Sequence, residues 1–146
     1  MKKFFLLLIA VLAIGMCACS DDDKPISSAD LPSDARSFVE KYYPSLTIIY
    51  AEKNSKHSST TYDVLLSDGT EVEFDSDGRW LDINAPYGKA VPAALVPQPI
   101  ADFVALTFPN QLINEFSRES YGFKAELTND IGLEFSHDYI FLHRAR

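Results

Sequence analysis

Past residue 30 the chain alternates between two apolar periods. Ala35, Phe38, Val39 and Tyr42 recur at i, i+3, i+4 and i+7, the spacing of one helix face. Pro32 suits the entrance of that helix, with Ser33 or Asp30 placed to cap it, and Pro44 ends it because the residue before proline avoids the α region. Ile100, Phe103 and Val104, between Pro97 and Pro109, predict a second helix of the same kind. After the first helix the period shortens to two. Thr47 to Glu52, Tyr62 to Leu66, Glu71 to Asp75 and Trp80 to Asn84 read as strands, with turns at Ser67-Asp68-Gly69 and Asp75-Ser76-Asp77-Gly78. A three-residue loop with Gly69 left-handed would turn Tyr62, Val64 and Leu66 to the same side as Val72 and Phe74.

The second half repeats this order. Leu31-Pro32 to Tyr43-Pro44 matches Val96-Pro97 to Phe108-Pro109 at an offset of 65 residues, the distance from Pro32 to Pro97. Tyr62, Val64, Leu66, Val72, Phe74, Trp80 and Leu81 match Phe123, Ala125, Leu127, Leu133, Phe135, Phe141 and Leu142 at an offset of 61, the distance from Tyr62 to Phe123. The difference fits a longer loop within the polar stretch from Asn54 to Thr61. The fold class expected is α+β: two tandem repeats, each a helix plus a four-stranded antiparallel sheet, in two layers. The repeats are residues 30–84 and 95–146 of a single domain, 30–146, joined by a Pro- and Gly-containing connection.

The segment Tyr62-Asp-Val-Leu-Leu-Ser-Asp-Gly-Thr-Glu-Val-Glu-Phe-Asp-Ser-Asp-Gly-Arg-Trp-Leu-Asp-Ile83, behind a helix opening Leu-Pro and closing Tyr-Pro, resembles the PepSY-like, β-lactamase-inhibitor-like family. The resemblance covers the whole domain, closely in the first half and loosely in the second, where Gly69 and Gly78 are replaced by Asp130 and Tyr139. It implies a secreted or lipid-anchored protein whose fold is similar to an inhibitor that grips an enzyme with an open sheet face. It implies no catalytic signature.

The start of the chain has a different pattern. Met1-Lys2-Lys3 precedes an uninterrupted apolar run from Phe4 to Met16, the layout of a secretory signal over residues 1–18 and shorter than the about 20 residues of a membrane span. Met16-Cys17-Ala18-Cys19 is similar to a lipobox with Cys19 as the lipidated residue; cleavage before Cys17, or an ordinary secreted protein, are the competing readings. Residues 19–29, polar and Asp-rich, read as a lipid-anchored tether. Acidic residues directly after Cys19 resemble a surface-export signal, so the expected place is the outer membrane of a Gram-negative cell, on its surface or its periplasmic face. Removal of the leader takes Lys2 and Lys3 and moves the formal charge from −8 to −10. That balance argues against nucleic acid and leaves the lipid anchor as the membrane contact. With Cys17 gone, Cys19 has no partner for an intramolecular disulfide.

No residue group identifies a reaction, and no cofactor or metal is expected. His137 and His143 fall on a turn and a following strand, apart from each other and from His57. Asp75-Ser76-Asp77-Gly78 begins like a calcium loop, but Arg79 and Trp80 follow where its later ligands would stand, so a hairpin turn accounts for it. Ser58 and Ser59 beside His57 lack a glycine elbow. Glu71, Glu73 and Asp75 alternate along one strand toward its polar face.

Trp80 stands out. A two-residue turn at Asp77-Gly78 would pair Phe74 with Leu81 and send Trp80 to the open face beside Glu73, with Tyr139 and Phe141 on the same face in the second half. A three-residue turn at Ser76-Asp77-Gly78 would instead pair Phe74 with Trp80 and bury it. The first register gives a stripe of Trp80, Tyr139, Phe141 and Glu73 suited to a protein or peptide partner, since aromatic anchors dominate interfaces. The function expected is therefore a non-enzymatic, membrane-anchored binding module, inhibitor-like in its use of the sheet. The alternative is an enzyme or accessory subunit acting on envelope or extracellular polymers.

Overall fold

The computed structural model describes residues 22–56 and 59–145. Residues 1–21, which include the expected secretory signal with Cys17 and Cys19, lie outside the described residues, as do His57 and Ser58. Nine strands and two helices follow in the order β1 (Asp22–Pro25), α1 (Ser33–Tyr42), β2 (Ile48–Lys56), β3 (Ser59–Leu66), β4 (Glu71–Asp75), β5 (Trp80–Asn84), α2 (Gln98–Thr107), β6 (Ile113–Glu119), β7 (Gly122–Leu127), β8 (Gly132–Ser136) and β9 (Phe141–Arg144). All nine strands join one open sheet, antiparallel throughout, in chain order. The strands do not form separate four-stranded sheets: Asp82, Ile83 and Asn84 of β5 pair with Ser117, Phe116 and Glu115 of β6, which carries the ladder from one half to the other.

The core follows from this register. Ala51, Val64, Val72, Ile83, Phe116, Ala125 and Leu133 lie opposite one another across seven strands, and all are buried. Residues in one cross-strand row share a face, so the row makes a continuous apolar floor. Both helices lie on it. Ala35 and Val39 of α1 and Ile100 and Val104 of α2 are buried, and Phe38 meets Phe74 edge-on at 5.4 Å as Phe103 meets Phe135 at 5.6 Å. Fully burying a side chain of this size contributes about 1.5–3 kcal/mol, so these faces are the main source of stability.

Three details depart from the sequence reading. Residues 22–25, expected in a flexible tether, form β1 against β2, and Ser27 with Asp30 makes a capping box on the 3-10 turn that follows. An edge strand needs only backbone partners, so its polar side chains give no apolar signal. Pro32, with no side-chain cap from Ser33 or Asp30, stands at the N-cap of α1. The polar stretch expected as a loop instead lengthens β2 and β3, pairing Asn54 with Thr61 and Ser55 with Thr60.

Four hairpins share one turn geometry. In each, the first residue's N–H donates to the carbonyl four residues on and its carbonyl accepts from the residue three on: Leu66 with Thr70 and Gly69, Asp75 with Arg79 and Gly78, Leu127 with Ile131 and Asp130, and Ser136 with Ile140 and Tyr139. The third loop residue is left-handed every time, with φ of 93° at Gly69, 85° at Gly78, 61° at Asp130 and 63° at Tyr139.

Candidate functional site: the helix-free face of the sheet

Strand side chains alternate, so the row next to the apolar floor points away from the helices. It reads Glu52, Asp63, Glu73, Asp82, Ser117, Lys124, Glu134 and His143, in register from β2 to β9. Two positions along the strands lie Glu71, Glu115 and Glu126 on the same face. The two ends of the row differ in charge. On β6 and β7 opposite charges meet, Lys124 Nζ lying 3.4 Å from Glu115 and 3.3 Å from Glu126, and on β8 and β9 Glu134 has His143 Nε2 at 3.4 Å. On β2 to β5 four carboxylates stand side by side, at the about 4.8 Å spacing of neighbouring strands.

Like charges opposite one another destabilise a sheet, and burial adds to their effect at two members of the row, Asp63 and Asp82. Burial, then Glu73, push Asp63 up to about 6, although Asn54 donates a hydrogen bond to it. Burial, then Glu115 and Glu73, push Asp82 up to about 7. Asp82 Oδ1 is shielded from solvent and has no hydrogen-bond partner. Burial also raises Glu71. Burial opposes the charge on Lys124, but Glu115 and Glu126 outweigh it and raise its pKa.

Of the four partner-binding residues expected from sequence, Glu73 is on this face, opposite Asp63 and Asp82. The aromatics are elsewhere. Phe74 pairs with Trp80, because the β4–β5 loop has three residues and Gly78 takes the left-handed position. The register then slips by one residue beside Leu81, so that Ile83 still lies opposite Val72. With the bulge, Trp80 and Ile83 are both buried, Trp80 at 8 % exposure, and Leu81 is half-buried. Phe141 pairs with Phe135 beside the same irregularity and stacks on Phe103 of α2 at 4.6 Å, on the helix side. Tyr139 is a turn residue with its ring 5.6 Å from that of Phe123. Neither of the two stands in the open-face row.

The other candidates have structural duties. Asp75 Oδ1 accepts from the backbone N–H groups of Asp77 and Arg79, both at 2.9 Å, which fixes the hairpin. His137 Nε2 lies 3.1 Å from the Ser120 carbonyl. Among the described residues no three His, Cys, Asp or Glu side chains converge as a metal would need. Sequence reasoning missed Glu52, Asp63 and Asp82 as companions of Glu73. The signal for them was the polar phase of each strand, but their adjacency depends on register.

A family model described as "Putative beta-lactamase-inhibitor-like, PepSY-like" matches residues 60–143. The chain belongs to this family. No curated protein matches it. Among solved structures, this PepSY-like chain is similar to one from Bacteroides thetaiotaomicron described as a putative calcium-regulated periplasmic protein, with 25% identity, a TM-score of 0.80, and coverage of 86% of this chain and 98% of that one. A putative periplasmic protein of the DUF2874 family from Bacteroides vulgatus matches at 28% identity and a TM-score of 0.80, covering 88% and 100%. A second protein from Bacteroides vulgatus, described as a putative periplasmic protein of unknown function, matches at 28% identity and a TM-score of 0.81, covering 85% and 99%.

Proposed function

We propose that this PepSY-like protein is a non-enzymatic binding module of the cell envelope, anchored through Cys19, which holds a partner polypeptide by its basic side chains on the open face of the sheet. The observation that carries the reading is the Glu52–Asp63–Glu73–Asp82 row. On β7 a lysine occupies the row and is flanked by carboxylates; on β2 to β5 the same row has carboxylates alone. A Lys or Arg side chain from outside would do there what Lys124 does within the chain, and electrostatic complementarity of this kind sets specificity and association rate. The inhibitor-like family and the periplasmic relatives are in keeping with a partner met outside the cytoplasm. The duplicated architecture read from the sequence fits one half adapted for stability and the other for contact. Trp80 has no part in this surface.

The test is calorimetric titration of the mature chain with extended Lys- and Arg-rich peptides. Binding that weakens with salt, and weakens at least about tenfold in Asp63→Asn/Glu73→Gln, supports the reading. Equal binding by the double variant, or none by the wild type, overturns it.

A further inference from the structure

We propose that this docking face is gated by protons: the carboxylate row retains a proton at Asp82, and that proton must leave before a cationic partner is held at full strength. The inference rests on the docking role just described and concerns its regulation. Its basis is geometric. Asp82 lies in the middle of the sheet, with Glu73 opposite it on β4 and Ser117 opposite it on β6. Glu71 on β4, Glu115 on β6, and Asp63 and Glu52 further along the row add negative charge on the same face. Among the described side chains Lys124 on β7 is the cation facing this group, and it is already shared between Glu115 and Glu126. Arg118 of β6 is turned to the other face, over Trp80.

Asp82 therefore has carboxylates on both sides and an unpaired, shielded Oδ1. A proton lowers the charge of the row at small structural cost, and an incoming ammonium or guanidinium competes with that proton for the same negative field. Binding and deprotonation are then linked: the partner favours the ionised row, and at near-neutral pH its arrival expels protons. The raised pKa values of Asp82, about 7, and Asp63, about 6, place the transition between mildly acidic and neutral conditions. An envelope protein meets such changes directly, because the space outside the inner membrane follows the pH of the surroundings more closely than the cytoplasm does.

The experiment is titration of the mature chain with hexalysine at pH 6 and pH 8, at one ionic strength, in buffers of different ionisation enthalpy. Carbon-13 detection of the Asp82 carboxyl in the free protein accompanies it. The expected results are a carboxyl that titrates near neutrality, net proton release on binding at pH 6 that is much smaller at pH 8, and roughly tenfold tighter binding at the higher pH. In Asp82→Asn, proton release and the pH dependence of affinity both shrink, whatever the absolute affinity. Hexalysine bound without proton release, or an Asp82 carboxyl that titrates below pH 5, overturns the gate and leaves the docking role standing. Absence of binding at both pH values overturns the docking role, and the gate with it.

Discussion

The guanidinium carbon of Arg118 lies 4.3 Å from the centre of the Trp80 ring, and Phe116 lies 5.7 Å from that ring within the sheet. The only tryptophan of the chain is thus closed over by a cation on the face that carries the helices. Its emission should be blue-shifted and resistant to acrylamide. Trp80→Ala should lower stability by about 3–5 kcal/mol in urea, as for other large buried aromatics. Arg118→Ala should lower it by only about 1 kcal/mol while raising acrylamide quenching. Emission at the wavelength of free tryptophan in the wild type would contradict this placement.

Two residues at corresponding turn positions should respond in opposite ways. Gly78 has φ of 85°, and a Cβ there would stand 2.7 Å from the Ala35 nitrogen at the start of α1. Gly78→Ala should therefore cost more than about 2 kcal/mol, through both backbone strain and displacement of the helix. Tyr139 adopts φ of 63° with a bulky side chain. Tyr139→Gly should stay within about 1 kcal/mol of wild type, because relief of strain offsets the lost contact with Phe123. Urea denaturation of the two variants separates these outcomes.

Elements with strong alternation were legible in the sequence to the residue: β4 runs Glu71–Asp75 and β5 runs Trp80–Asn84, as the pattern indicated. Features that depend on pairing were not. The facing of Trp80 turned on a single-residue slip beside Leu81, and hydrophobic alternation contains no term for a bulge. Strand β1 was invisible because Asp23, Lys24 and Pro25 contribute backbone rather than apolar surface. Glu73 was correctly read as polar-facing, but nothing local to β4 says that Asp63 and Asp82 flank it.

The pH dependence of stability has a definite sign at Asp82. Its folded-state pKa is raised from 3.8 to about 7, so the folded chain binds this proton more tightly than the unfolded chain. The favourable contribution is complete below about pH 4 and is lost as pH rises toward 7. Asp82→Asn should therefore be more stable than wild type at pH 8, by on the order of 3 kcal/mol, with little difference at pH 4. Denaturant midpoints at the two pH values measure this; a constant difference between them would contradict it.

Lipidation at Cys19 is tested independently of the fold. In cells fed labelled palmitate, the wild-type chain and Cys17→Ser should carry label, and Cys19→Ser should lose it. Retention of label in Cys19→Ser together with loss in Cys17→Ser would move the anchor to the competing position.

Because every strand of the sheet lies beside its predecessor in the chain, most of the ladder closes over short loops. The exceptions are the pairs that span a helix, β1 with β2 and β5 with β6. Short closures lose little chain entropy and form early, whereas β5 and β6 must wait for about thirty residues to be gathered in. The order of assembly is then hairpins first and the seam through Ile83 and Phe116 last. In a chevron analysis Ile83→Val should speed unfolding and leave folding nearly unchanged, while Val72→Ala, within the β3–β4 hairpin, should slow folding. The contact that makes the two halves one sheet is, on this view, also the clasp that sets how long the native molecule stays closed.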